Sequence, residues 1–324
     1  MTFDAARLQT WLGARHLRIE GTPAAGGWSN ETVFLNADGR ALVLRLAPSG
    51  ASMFPRYDLG LQARCLNYAR EAGLPVPAVV GVESDADVLG RAFFVMERLA
   101  GRVPADDDPP FTKAGFLFDA DAARQRRFCA GAIDLIARVH ALPAPDFLDI
   151  GPAPRDHLGW CAGLWAWAGF DHPDLAAAHA ALERDLPPDD AAPTGLLWGD
   201  ARPANMVVDT DFSIVGMLDW ELAGSGAGEF DVAWFCEMNH MRATGMGIAP
   251  LPGFLSVAAT WQRWAQAVGR APIHVVWHHH FAAYRIAVLM FLYLRAMIAR
   301  GRLPADHRLT RDNTSTRRLR ELLA

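Results

Sequence analysis

Hydrophobic and polar positions divide this chain into two unlike parts. Residues 4–16 carry an amphipathic helical period. From residue 17 to residue 46 the period shortens to two. Thr32-Val33-Phe34-Leu35 reads as a strand, and Ala37-Asp38-Gly39 as a hairpin turn. Residues 41–46 return, with Leu42, Leu44 and Leu46 on one face and Val43 and Arg45 on the other. Residues 58–72 are helical again and stop before Gly73-Leu74-Pro75-Val76-Pro77, where two prolines impose an extended path. Residues 79–82 and 91–97 complete a run of about five strands and one helix.

The pattern then lapses. Residues 101–110 are polar and proline-rich, which marks a boundary. Beyond it helical periods cover residues 124–141, 159–168, 174–184, 260–268 and 274–300, with a charged terminal helix over 306–324. Trp160, Trp165 and Trp167 suit either the packing of this helical part or a stacked substrate. Within it lie two short apolar runs, 195–198 and 214–218. The first ends at Asp200, with Asn205 five residues on. The second ends at Asp219, with Glu221 two beyond. Two strands that each deliver a carboxylate to one end, with a carboxamide between them, suit magnesium-dependent phosphoryl transfer. One carboxylate accepts a hydroxyl proton, and the amide and the second carboxylate hold the metal on the nucleotide phosphates.

Other signals are weaker. Gly26 and Gly27, ahead of Trp28, Ser29 and Asn30, could cover phosphates with backbone N–H groups or simply precede a hairpin. Arg45 is either a solvated edge residue or a phosphate clamp. Gly224-Ser225-Gly226-Ala227-Gly228 lacks nucleotide-fingerprint spacing and reads as a flexible connector. His140 reads as a packed or capping residue. His278, His279 and His280 point about 100° apart on a helix, so they do not share an ion. No GxxxxGK[ST], GxSxG or HExxH occurs.

Composition narrows the class. The chain has 324 residues, 51% of them hydrophobic and 21% charged, enough for one large or two modest domains. A net charge of −5 argues against nucleic acid or an anionic membrane surface as partner. Lys113 is the single lysine, so any phosphate clamp before it must be an arginine. Cys65, Cys129, Cys161 and Cys236 form no CxxC pair, which favours a reducing, cytoplasmic setting. The apolar run 281–299 contains Arg285 and Arg295 and reads as a buried helix rather than a membrane span.

Trp198-Gly199-Asp200-Ala201-Arg202-Pro203-Ala204-Asn205, then Leu218-Asp219-Trp220-Glu221, then Glu229-Phe230-Asp231, resemble the aminoglycoside phosphotransferase and choline kinase-like family. Residues 26–35, 43–46, 73–83 and 88–104 agree in the same order. The GDARP loop is most similar to a bacterial subgroup, and to the kinase-like domain fused to some acyl-CoA dehydrogenases. The resemblance implies an α+β fold of protein-kinase type: a small β-rich lobe (1–98), a hinge (99–105) and a larger helical lobe (106–324). It implies an ATP- or GTP-dependent enzyme using Mg2+ and a hydroxylated small-molecule acceptor. Asp200 would be the catalytic base, Asn205 and Asp219 the metal ligands. Gly26, Gly27, Trp28, Ser29 and Asn30 would cover the phosphates, with Arg45 as anchor. Glu97, Arg98 and Leu99 would meet the adenine edge, and Asp231 would brace the catalytic loop. Gln62 stands where the family's helix offers a glutamate, so it can only hydrogen-bond to Arg45 and leaves that guanidinium at full charge. Two alternatives are a nucleotide- or metabolite-binding protein with little transfer activity, and a kinase of a hydroxyacyl metabolite. An acidic acceptor pocket could draw on Asp106, Asp107, Asp108, Asp119, Asp121, Asp171 or Asp174.

Overall fold

The computed structural model of the chain describes residues 3–23, 30–106 and 109–324. Helix α1 (Ala5–Leu12) is capped by Asp4, whose carboxylate accepts from the Ala6 and Arg7 N–H groups. Five strands follow: β1 (Leu17–Gly21), β2 (Glu31–Ala37), β3 (Arg40–Leu46), β4 (Val79–Glu83) and β5 (Phe93–Glu97). Helix α2 (Leu59–Glu71) lies between β3 and β4. The strands form an antiparallel sheet in the order β1-β2-β3-β5-β4. The β2–β3 hairpin pairs Ala37 with Arg40 across Asp38 and Gly39, whose φ values of 49° and 86° are those of a type I′ turn.

The sheet separates two cores. Leu42, Leu44, Val33, Leu35, Phe93 and Val95 pack under α1. Val43, Phe94 and Met96 face the other way and join α2 in a core that continues into the helical part of the molecule.

That part contains α3 (Ala122–His140), α4 (Pro154–Ala168), α5 (Pro173–Arg184), α6 (Glu229–Arg242), α7 (Val257–Val268), α8 (Val275–Ala299) and α9 (Thr314–Leu323). Helix α4 starts five residues earlier than its apolar period suggests. Pro154 sits at the first helical position, where a missing N–H costs nothing, and Asp156 accepts from the Ala153 N–H. Helix α8 is long and apolar enough to cross a membrane, but 72% of its most apolar window is buried against the other helices.

Four short strands carry the loops of interest: β6 (Thr194–Leu197), β7 (Met206–Val208), β8 (Ile214–Met217) and β9 (Gly224–Ala227). β7 and β8 form one antiparallel pair, and β6 and β9 another. The glycine-rich stretch 224–228 is therefore a strand and the start of α6, not a flexible connector. Its lack of side chains has a packing reason: a Cβ on Gly226 would stand 2.9 Å from His157 Nε2 and 3.0 Å from Leu197 Cδ1.

Candidate active site

The loop after β6 is gripped by one buried acid. Asp231, on the first turn of α6, accepts from the backbone N–H of Trp198 at 2.8 Å and of Gly199 at 2.9 Å. His140, at the end of α3, lies 3.2 Å from the same carboxylate. The Trp264 indole N–H donates to His140 Nδ1 at 2.9 Å, so a neutral ring carries its proton on Nε2, facing Asp231. The expectation of a packed histidine is met, but the acid beside it is more than ninety residues away in sequence. Gly199 has φ +83°, and a Cβ there would lie 1.8 Å from the Leu222 carbonyl oxygen. Only glycine lets the loop pass the turn at Leu222 so closely.

Asp200 follows, 6% exposed. The indole N–H of Trp234 donates to Oδ1 at 3.0 Å. Arg202 Nε and Asn205 Nδ2 donate to Oδ2 at 2.9 and 2.7 Å. Burial raises the Asp200 carboxyl above its ordinary value. The nearby Asp219 charge adds to this, while Arg202 and Asn205 oppose it. Arg202 also pairs with Asp106, which receives a second, bidentate arginine: Arg242 donates through Nε at 2.9 Å and Nη2 at 2.7 Å. Burial works against ionised Asp106, but the two arginines outweigh it and hold the carboxyl below its usual range.

Asp219 lies two residues beyond β8 with φ +59°, a left-handed conformation that aspartate tolerates better than most residues. Arg45, reaching from β3, donates to Asp219 Oδ1 at 3.2 Å and to Thr32 Oγ1 at 3.2 Å. Arg45 thus faces the cleft instead of solvent. Its partner is Asp219 and not Gln62, which is buried and lines the same cleft. The reason is charge: a carboxylate across the cleft attracts the guanidinium more strongly than a neutral amide does.

Between the sheet and this floor lies a cleft of about 450 Å³. Phe34, Val43 and Phe94 roof it, and Val207 and Leu218 form its floor. Glu97, Arg98 and Leu99 line its edge. Arg98 stacks on Phe34 at 3.9 Å, and Glu97 is exposed, 3.8 Å from Arg40. Arg102 and Val208 exchange both backbone hydrogen bonds at 2.8 Å, tying the linker to β7. Asn30 donates to Glu221 Oε2 at 2.9 Å. Gly26, Gly27, Trp28 and Ser29 lie outside the described residues.

The donor set fits magnesium. Asn205 spends both amide hydrogens on Asp200, on its backbone oxygen at 3.0 Å and on Oδ2, which leaves the amide oxygen for another partner. With Asp219 it offers two hard oxygen ligands at the cleft. Magnesium is commonly held by one or two such groups, with phosphates and water completing the octahedron. No cluster of three or more His, Cys, Asp or Glu suited to a metal occurs among the described residues. The three consecutive histidines diverge: His278 turns to the His274 carbonyl and His279 to Glu237, while His280 is half-buried.

Sequence reasoning missed Arg202, Trp234 and the Arg242–Asp106 pair. Arg202 stood in the quoted motif, two residues after Asp200, so its side was legible. Trp234 and Arg242 were not, because they reach the site through tertiary packing of α6. The acids proposed for an acceptor pocket do not converge. Asp106 is held by the two arginines, Asp121 caps α3 and Asp174 faces Arg320 at 3.6 Å. Asp119 and Asp171 are exposed, while Asp107 and Asp108 lie outside the described residues.

Known proteins share this chain's sequence in part and its fold. Acyl-CoA dehydrogenase family member 11 of Gallus gallus is 29% identical over 217 residues, which is 65% of this chain and 27% of that protein. The Homo sapiens protein of the same name is 26% identical over 249 residues, or 72% of this chain and 31% of that protein. The chain thus spans less than a third of these relatives. Among solved structures, a candidate aminoglycoside phosphotransferase of Ralstonia eutropha superposes with TM-score 0.73 at 21% identity, covering 99% of this chain and 96% of the other. A type I macrolide 2'-phosphotransferase gives TM-score 0.58 at 20% identity, covering 95% and 100%. An aminoglycoside phosphotransferase of Streptomyces rimosus with ADP and streptomycin gives TM-score 0.53 at 15% identity, covering 84% and 92%. These likenesses establish the two-part α+β fold of kinase type. The model of the phosphotransferase enzyme family matches residues 20–272, and to that family the chain belongs.

Proposed function

We propose that the protein transfers the γ-phosphoryl group of ATP or GTP to a hydroxyl of a small molecule, with Mg2+. The observation that carries this is the meeting of Asn205 and Asp219 in the lining of one cleft with Arg45, and the hydrogen bond that ties Asn205 to Asp200 beside it. Residues 1–98 and 106–324 act as two jaws joined by the hinge 99–105. The base lies against Phe34, Val43 and Phe94 and meets the backbone of Glu97, Arg98 and Leu99. Asn205 and Asp219 would hold a magnesium ion, which would supply charge neutralisation at the nucleotide phosphates. Arg45 leaves Asp219 for the phosphates and clamps them.

Asp200 accepts the proton of the attacking hydroxyl. A carboxylate has about four acceptor sites, and Trp234, Arg202 and Asn205 occupy three here. One remains for the acceptor. Its burial suits the role, since a base with a raised pKa takes a proton more readily in the transition state. The three donors also fix its geometry, so positioning and charge stabilisation supply most of the rate.

Asp200→Asn keeps the shape of the side chain, loses one of its two acceptor oxygens and cannot take the proton. Transfer should fall by at least about 10²-fold, with the circular dichroism spectrum and magnesium-nucleotide affinity intact. A variant that keeps full turnover on an acceptor used by the wild type would end the assignment.

A second reading is a nucleotide-binding protein with little transfer. The Arg45–Asp219 pair favours it, because magnesium must displace an arginine that no glutamate draws back. Magnesium-nucleotide binding with no transfer to any of a broad panel of hydroxylated compounds, read as ADP or GDP release, would favour this second reading.

A further inference from the structure

We propose that Asp106 is a positioning residue of the transfer reaction: it holds Arg202 to a single hydrogen bond on Asp200, so that one site of that carboxylate stays open to the acceptor hydroxyl. This rests on the phosphoryl-transfer reading above. Asp106 stands just past the hinge, where Ala105 and Asp106 line the nucleotide cleft together with Arg202, Asn205 and Asp219.

The guanidinium of Arg202 is shared between two carboxylates. Nε donates to Asp200 Oδ2 at 2.9 Å, and Nη1 donates to Asp106 Oδ2. Neither acid takes from Arg202 the side-on pair that a guanidinium offers through Nε and Nη2. Arg242 shows that pair on the same acid, with Nε on Asp106 Oδ1 at 2.9 Å and Nη2 on Oδ2 at 2.7 Å. Asp106 thus draws one end of Arg202 away from Asp200 while Arg242 fixes both of its oxygens.

Asp106 is itself tied to the helical part that carries Asp200. It is 9% exposed. The linker is pinned before it, where Arg102 and Val208 exchange backbone hydrogen bonds, and beside it, where the Phe111 N–H donates to the Ala105 carbonyl at 2.7 Å. Arg242 ends α6, and its carbonyl accepts from Thr112 Oγ1.

The consequence follows from counting acceptor sites. A carboxylate has about four. Trp234, Arg202 and Asn205 fill three on Asp200. An arginine released from Asp106 gains most by turning Nη2 to Asp200 as well, because the bidentate contact satisfies two donors and both charges. The open site is then filled, and the arginine competes with the Trp234 indole for Oδ1. Along Asp200, Arg202, Asp106 and Arg242 the charges alternate in sign, so Arg202 is balanced without a second bond to the base.

Asp106→Asn alone strands buried Arg242, and removing one partner of such a pair is costly in itself. The test therefore compares Arg242→Gln with Arg242→Gln plus Asp106→Asn, in the full chain with magnesium and ATP. One readout is the indole N–H resonance of Trp234 by NMR, assigned with Trp234→Phe, which reports the bond to Asp200. The other is ADP release with water as the acceptor. Arg242→Gln should keep the wild-type resonance. Adding Asp106→Asn should shift that resonance as the indole bond weakens, and lower kcat at least about tenfold, with KM for ATP unchanged. Asp106→Glu in place of Asp106→Asn should restore both readouts. A resonance or a kcat that Asp106→Asn leaves in place overturns the proposal, as does a Glu variant no better than Asn. Loss of folding on adding Asp106→Asn to Arg242→Gln overturns it too, since Arg202 would then have found no second bond on Asp200. A wild type that binds magnesium and ATP but releases no ADP to water or to any hydroxylated compound instead sinks the reaction assigned above, and the resonance still decides whether Asp106 holds Arg202 off the base.

Discussion

Asp200 keeps its geometry because its neighbours are held from outside the motif. Asn205 and Arg202 come from the same loop, but Trp234 comes from α6 and Arg202 is itself steadied by Asp106. Gly199 is the residue on which the loop's path depends. Alanine there would adopt φ +83° with its methyl 1.8 Å from a backbone oxygen of residue 222. Backbone cannot yield as a side-chain tip can, so Gly199→Ala should cost more than about 2 kcal/mol, combining the left-handed penalty with overpacking. Urea denaturation checks this; an unchanged midpoint would mean that the loop passes Leu222 less closely.

Helices α6, α8 and α9 are joined by a buried acid. Glu237 of α6 lies 2.7 Å from His279 Nδ1 of α8 and takes Arg318 Nε of α9 at 2.8 Å. Burial alone would raise its pKa, but the bonds from His279 and Arg318 prevail and lower it to about 2. The sign follows: an acid depressed in the folded state stabilises it above the unfolded value near 4.5. That stability is lost as pH falls from there toward 2. Glu237→Gln should therefore lower stability by roughly 3 kcal/mol near neutrality, with the gap from wild type closing in acid. A gap that persists unchanged below pH 3 would show that shape, not charge, is what Glu237 contributes.

Across the whole molecule, the sheet and the helical part share one core, and the cleft runs between them. A ligand held by both parts stabilises the fold by mass action. Magnesium with ATP or GTP at about a hundred times its Kd should add about 2.7 kcal/mol to stability, seen as a rise in the thermal midpoint. Asp219→Ala should bind nucleotide with no magnesium dependence, since one of two protein oxygens for the ion is gone. A variant whose shift still needs magnesium would remove Asp219 from the metal site.

The short-range pattern carried much of this fold. Hairpin geometry followed from Asp38-Gly39, because only residues at ease with positive φ make that turn. Alternation along residues 41–46 set Leu42, Leu44 and Leu46 against Arg45, and the structure divides its two cores on that line. Asp200, Asn205 and Asp219 were legible because strand, turn and spacing are local properties. So was the brace at Asp231, through the family motif that contains it.

What packing alone decided lies at longer range. Arg45 turned to Asp219 and not Gln62, since opposite charge across a cleft outbids a neighbouring amide. His140 met Asp231, Arg202 met Asp106, and Arg285 was buried between two indoles, each through contacts distant in sequence. Periodicity tells which face of a helix is buried and says nothing of which charge waits there. The sequence alone determined the kind of fold and the motif that holds the residues proposed to react, because both follow from local order. The partners that hold those residues belong to tertiary structure, because only folding brings them within a few ångströms.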